Sequence, residues 1–225
     1  MTQKHISRLS ASPLIDRVWR TENVADGVYI ATPDCSWDLL ALKLQDGSRT
    51  MMLAGQQTKY LEVPYAAGTS AVVISFTASA YLAGLKGDEL VDATVMLPRS
   101  GSNRFILLDH AFEFPEYDTA EKIVQSMVAA GILKQDDIVA SVLEGQPKAM
   151  SSRTMQRHFH EVTGISRKTL HKIRRAQDAV KMLQAGTATA EVAAEVGYTD
   201  QSHLTKDLKK IMGAGASATD YIHKL

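Results

Sequence analysis

Cys35 is the only cysteine among 225 residues, which excludes an intramolecular disulfide and a cysteine-only zinc site. No apolar run reaches the roughly 20 residues that span a bilayer, and Met1–Pro13 has no charged-then-apolar leader. The chain therefore reads as soluble, unexported and cytoplasmic. Low-complexity tracts are absent. Histidine is thin in the front half, where only His5 and His110 occur, while a metal-dependent centre needs several His and carboxylate ligands close together. No catalytic set, metal site or cofactor is implied. Charge of one sign is lacking only on average. The formal net charge is +0, yet residues 1–146 hold 12 Lys and Arg against 18 Asp and Glu, and residues 147–225 hold 13 against 7. An acidic front and a basic rear point to a polyanionic partner at the rear.

The front half has the texture of short strands. Leu14–Arg20, Val28–Ala31, Trp37–Leu44, Thr50–Leu53, Lys59–Val63 and Ala71–Phe76 are apolar or alternating runs, broken at Asp26-Gly27, Pro33-Asp34, Asp46-Gly47, Gly55, Pro64 and Gly68. Many short strands at that spacing predict a small barrel or sandwich. Residues 1–12 are expected to be a loosely docked start. Ala78–Leu85, rich in small residues, is expected to be helical, and Phe105–Phe112 to be a last strand or a short helix.

After Pro115 the period changes. Asp118 and Glu121 open a helix whose apolar positions are Ala120, Ile123, Val124, Met127 and Val128. A second helix is expected over Gln135–Glu144, with Ile138, Val139, Val142 and Leu143 facing inward, before Gly145 and Pro147 end it. Two copies of one pattern follow. Met155, Phe159, Val162 and Gly164 recur as Leu204, Leu208, Ile211 and Gly213, each 49 positions on (204 − 155). Apolar residues at i, i+4 and i+7 with a glycine just beyond make the buried face of a short, terminated helix. The opposite face of each copy is polar: Arg153, Gln156, Arg157 and His160 in the first, and Ser202, Thr205, Lys206 and Lys209 in the second. Long donors in such a stripe suit phosphates and base edges in a major groove. Between the copies, Ser166–Gln184 predicts a basic rod of about 28 Å, with Leu170, Ile173, Ala176, Val180 and Leu183 inward. Thr189–Val196 is expected to be a short helix, Gly197 a tight turn, and Ser217–His223 a final helix.

These residues resemble the paired helix-turn-helix domain of the AraC/XylS family of bacterial transcription regulators. The matching stretches are Met150-Ser-Ser-Arg-Thr-Met-Gln-Arg-His-Phe159 with Thr163-Gly164-Ile-Ser166, then Arg175-Ala-Gln-Asp-Ala179, and Glu191-Val-Ala-Ala-Glu-Val-Gly-Tyr-Thr-Asp-Gln-Ser-His-Leu204. The front half is similar, through Trp19, Pro33–Leu40, Gly55–Thr58, Gly68–Phe76 and Leu90–Asp92, to sensory domains attached to one branch of that family. The resemblance implies an α+β plan: a β-rich, cupin-like barrel at 1–115 for effector binding or dimerisation, then an all-α domain at 116–225 with two helix-turn-helix units joined by a long helix. It implies sequence-specific regulation through double-stranded promoter DNA, modulated by a small effector. RNA polymerase is a further candidate partner, and the chain is expected to be a monomer or a homodimer. Base reading falls on Arg153, Gln156 and Arg157, then on Gln201, Ser202, Thr205 and Lys206. Phosphate contacts fall on Ser152, Lys168 and Lys209. Lys206 and Leu208 stand where the family usually has Arg and Phe.

Trp19, Tyr29, Asp34, Trp37, Asp38 and Tyr60 are the candidate effector-pocket residues, since a barrel mouth is a usual pocket. Asp38, in an apolar strand, needs a partner if buried, and Arg49 is one candidate. Two rival readings differ in class. A cupin-type enzyme fused to the DNA-binding domain lacks the ligand cluster it would need. A DNA-repair-type methyl acceptor would use Cys35, but no basic neighbour adjoins Cys35 in Pro33–Trp37 to lower its pKa.

Overall fold

The structure of the protein, a computed structural model, describes residues 3–146 and 150–213. The chain divides into two compact units. One comprises Met1–Gly27, Ser36–Gln56 and Pro64–Ser166; the other comprises Val28–Cys35, Gln57–Val63 and Arg167–Leu225.

The strands are β1 (Gln3–Arg8), β2 (Ile15–Asn23), β3 (Gly27–Ala31), β4 (Trp37–Lys43), β5 (Arg49–Ala54), β6 (Leu61–Tyr65), β7 (Ser70–Phe76), β8 (Ala80–Leu82), β9 (Thr94–Leu97), β10 (Arg104–Leu107), β11 (His110–Glu113) and β12 (Leu133–Gln135). Six of them form one antiparallel sheet in the order β1-β2-β7-β4-β5-β9. The others pair two by two, as β10-β11, β12-β8 and β3-β6.

This arrangement overturns the expected barrel. Closure requires the two outer strands to hydrogen-bond to each other, whereas β1 pairs only with β2 and β9 only with β5 among the described residues. The front is an open sheet with separate two-stranded ribbons.

One face of the sheet carries the core of this unit. Trp37, Leu39 and Ala41 alternate inward on β4, and their register partners Phe76 and Ile74 on β7 are fully buried. Period-two alternation puts all of these on one side. The hairpin β10-β11 and helix α1 (Ala120–Ala129) cover them with Phe105, Phe112, Ile123, Val124 and Met127. Of the apolar positions expected on α1, Val128 is the exception and stands exposed.

Four local expectations also change. The start is ordered as an edge strand, since Gln3 Nε2 donates to Asn23 Oδ1 at 2.7 Å and Arg8 Nη2 donates to Glu121 Oε2 at 2.8 Å. The Arg8 guanidinium is the chief cause that holds the Glu121 carboxyl down at about 2, against burial, which raises it. Residues 78–85 are the short strand β8 within turns, where Gly84 sits at φ +109°; small residues there suit close approach and form no helix. Phe105–Phe112 contains two strands joined by Leu108 and Asp109, both at positive φ. Arg49 does not serve Asp38. Its guanidinium donates to Glu116 Oε1 at 2.8 Å and lies 4.9 Å from the Phe114 ring centre.

Beyond α1 the helices are α2 (Asp137–Leu143), α3 (Ser152–Thr163), α4 (Arg167–Gln184), α5 (Thr189–Glu195) and α6 (Gln201–Met212). On α2 only Val139 of the four expected inward residues is buried. On α4 all five are, together with Ala179. Residues 147–149 and the expected helix over Ser217–His223 lie outside the described residues.

Candidate nucleic-acid interface

Helix α3 begins where Ser151, in an extended conformation, accepts from the Thr154 amide at 3.1 Å, which satisfies one of the free donors of the first turn. Met155, Phe159 and Thr163 are buried, so the other side must face solvent. Ser152, Arg153, Gln156, Arg157 and His160 are all exposed there. The Arg157 side chain is 73% exposed, and its Nε lies 3.7 Å from Glu161. An exposed pair of this kind holds the guanidinium only weakly. One residue that the sequence did not single out in a specific role ties α3 to α2. His158 Nε2 lies 2.9 Å from Asp136 Oδ2, while Asp136 Oδ1 accepts from the Ile138 and Val139 amides to cap α2.

Gly164 ends α3 in the left-handed region at φ +74°. Its neighbour is Gly87, in the short 3-10 turn Gly87–Leu90. A Cβ at either glycine would overlap the backbone of the other. The two chain segments can meet this closely only because neither residue has a side chain.

In the second unit, α5 ends at a turn through Gly197 at φ +75°, and Asp200 caps α6 by accepting from the His203 amide at 2.8 Å. Leu204, Leu208, Ile211 and Met212 are buried. The outward face presents Gln201, Ser202, Lys206 and Lys209 exposed, with Thr205 half-buried and its hydroxyl donating to Gln201 O at 2.9 Å. Lys168 is exposed at the start of α4.

A charged clamp fastens α6 to α4. Asp207 is buried and receives Lys172 Nζ at 3.2 Å and Arg175 Nη2 at 3.5 Å. The Arg175 guanidinium also lies 4.0 Å from the centre of the buried Tyr198 ring. Burial pushes the Tyr198 hydroxyl up, opposed by Arg175. Two of the six Lys and Arg residues on α4 are thus turned to structure. The sequence signal was available, because Asp207 falls beside Leu208 and three positions after Leu204, on the apolar side of its helix.

Of the six candidate effector residues, Trp19, Trp37 and Asp38 lie in the first unit, on two faces of its sheet. Trp37 pairs in register with Phe76 and Trp19 with Val73, an odd offset along β7 that sets the two indoles on opposite faces of the sheet. Trp37 stacks on Phe76 with centroids 3.9 Å apart and donates to Ala80 O at 2.7 Å. Trp19 Nε1 donates to Ser75 Oγ at 3.2 Å, and Asp38 shares its face through register with Ser75. Tyr29, Asp34 and Tyr60 belong to the second unit. A cleft missed in the sequence lies in the first unit. Trp37, Gln56, Leu82, Leu90, Val162 and Thr163 are among its walls.

Cys35 is buried at φ +62°, and burial, reinforced by Asp34 and opposed by Arg174, pushes its thiol up to about 12. A nucleophilic cysteine needs the opposite shift, because the thiolate is the attacking form. Among the described residues no cluster of three His, Cys, Asp or Glu could hold a metal ion, and no helix is long and apolar enough to cross a membrane.

Residues 148–220 match the helix-turn-helix domain family. The match takes in α3, the rod α4, and the α5-turn-α6 unit, so both outward polar stripes lie inside this helix-turn-helix domain. No curated protein matches the chain. Among solved structures it is similar to ToxT from Vibrio cholerae at 10% identity, covering 97% of this chain and 98% of that one, with a TM-score of 0.44. ToxT from strain O395 bound to (E)-4-(8-methylnaphthalen-1-yl)but-3-enoic acid gives 10% identity, 97% and 98% coverage and a TM-score of 0.40. Unsaturated fatty acid bound wild-type ToxT from strain SCE256 gives 11%, 88% and 94%, and 0.38.

Proposed function

We propose that this chain is a sequence-specific DNA-binding transcription regulator of the AraC/XylS type, with residues 1–115 as a sensory domain and residues 116–225 as the DNA-binding domain. The observation that carries this reading is the repeated polar face: two helices 49 positions apart, each with a buried side led by apolar residues and each carrying polar side chains at the same pattern positions, within a matched helix-turn-helix domain. Arg153, Gln156 and Arg157 read one groove segment. Gln201, Ser202, Thr205 and Lys206 read the other. The chemistry suits the task, since an arginine pairs bidentately with guanine and a glutamine with adenine. Ser152, Lys168 and Lys209 dock on phosphates and add affinity that salt removes.

A small effector in the front domain modulates this binding by favouring one arrangement of the chain over another. Fluorescence anisotropy against duplexes from the region upstream of the protein's own gene, with a scrambled duplex and a salt series, tests the reading. Salt-dependent binding that prefers the native duplex supports it. Equal binding to native and scrambled DNA at every salt concentration overturns sequence specificity.

A further inference from the structure

The cleft in the first unit is small and opens broadly to solvent, with a cavity volume of about 50 Å³. Its walls are mixed: Trp37, Leu82, Leu90 and Val162 are apolar, while Gln56, Tyr81, Lys86 and Thr163 bring polar groups. The polar groups of two wall residues are already engaged: Trp37 Nε1 donates to Ala80 O, and the Thr163 hydroxyl donates to Phe159 O at 2.7 Å. Gln56 is different. It is 5% exposed, and its Oε1 is enclosed without a hydrogen-bond partner. Buried side-chain acceptors are nearly always satisfied, so this wall lacks one donor that the fold does not supply. A carboxylate would bring a second acceptor to Oε1 and repel it. A hydroxyl or an N–H on an apolar body supplies what is missing.

The same cleft touches the proposed DNA-reading helix. Val162 and Thr163 are the last two residues of α3, and Gly164 just beyond them is interlocked with Gly87, itself a wall residue. Filling the cleft therefore acts on the end of the helix that carries Arg153, Gln156 and Arg157.

We infer that this cleft is the effector site, that it takes a small molecule with an apolar body and one hydrogen-bond donor directed to Gln56, and that its occupancy is transmitted to α3. The second half of this inference rests on the DNA-binding reading; the first half does not.

Phenol and toluene, which differ by one hydroxyl, are the probes. Each is titrated into the full ¹⁵N-labelled chain, wild type and Gln56→Met, while amide shifts are followed. In the wild type phenol is expected to move the amides of Gly87, Leu90, Val162 and Gly164. The phenol-to-toluene affinity ratio is expected to fall about tenfold in Gln56→Met, the usual worth of satisfying one buried acceptor. If Gln56→Met does not fold, the wild-type comparison decides alone, with phenol expected to bind at least as tightly as the more apolar toluene. Phenol shifts absent from these amides, an unchanged ratio in the variant, or tighter wild-type binding of toluene overturns the inference. Anisotropy with and without phenol separates the two readings. A chain that binds phenol in the cleft but no duplex sinks the DNA reading alone, and one that binds DNA but not phenol sinks the cleft alone.

Discussion

Asp207 faces Lys172 across 3.2 Å from the buried side of α6, directly after the exposed Lys206 on the same helix. Asp207 fixes the helix, and Lys206, one position before it, stays exposed. Replacing Asp207 with Ala leaves Lys172 and Arg175 facing each other without their shared anion. Lys172 is 40% exposed and can turn to solvent, so the loss is expected to be about 1–2 kcal/mol rather than the 3–5 of a fully buried pair. Urea unfolding measures it. Asp207→Asn, which keeps a hydrogen-bond acceptor, should lose less; equal stability of all three proteins would show that the clamp does not hold α6.

Most of the helical half was legible because its signals are local. The i, i+4, i+7 repeat and the glycine stops at 164 and 213 each act within one turn, and all six elements from β12 to α6 except that strand were anticipated. The strands of the front sheet were legible for the same reason. Closure was not, because whether β1 meets β9 depends on edges that no alternation pattern encodes. β1 itself was hidden: Ile6 is 48% exposed, and long-range polar contacts from Gln3 and Arg8 hold the strand in place of an apolar stripe. The cleft was hidden too, since its walls come from segments as distant as Trp37 and Val162. Gln56 had a place in the family resemblance but no chemistry until its burial was seen.

Arg157→Ala should cost about 1–3 kcal/mol on a cognate duplex and relax preference at one base pair. Its ion pair with Glu161 is exposed, so little of the loss is structural. Lys168→Ala should weaken all sequences alike and lower the salt slope by about 1. Anisotropy on cognate and scrambled duplexes over a salt series checks both. If the two variants behave identically, the division between reading and docking is wrong.

Cys35 should resist iodoacetamide in the native chain at pH 8 and react in urea, because a thiol held at about 12 carries almost no thiolate. The linkage has a definite sign. The folded state raises the thiol above its ordinary value near 9, so the stabilising preference for the neutral form is complete below pH 9 and is lost as pH rises toward 12. Cys35→Ala should flatten that alkaline decline. Rapid native labelling at pH 8 would refute the buried placement.

Gly164→Ala and Gly197→Ala test the interlock against a plain turn. Both glycines sit near φ +75°, where an alanine costs roughly 1–2 kcal/mol from backbone sterics alone. A Cβ at Gly197 meets nothing within 4 Å, whereas one at Gly164 overlaps Gly87 and the Val91 side chain. The Gly197 variant should therefore lose about 1 kcal/mol and keep its fold. The Gly164 variant should lose more than about 3 kcal/mol, since neither backbone segment can yield without moving the end of α3. Urea unfolding of the two variants side by side gives the difference. If they lose the same amount, Gly87 does not seat α3, and the route from the cleft to the reading helix closes with it.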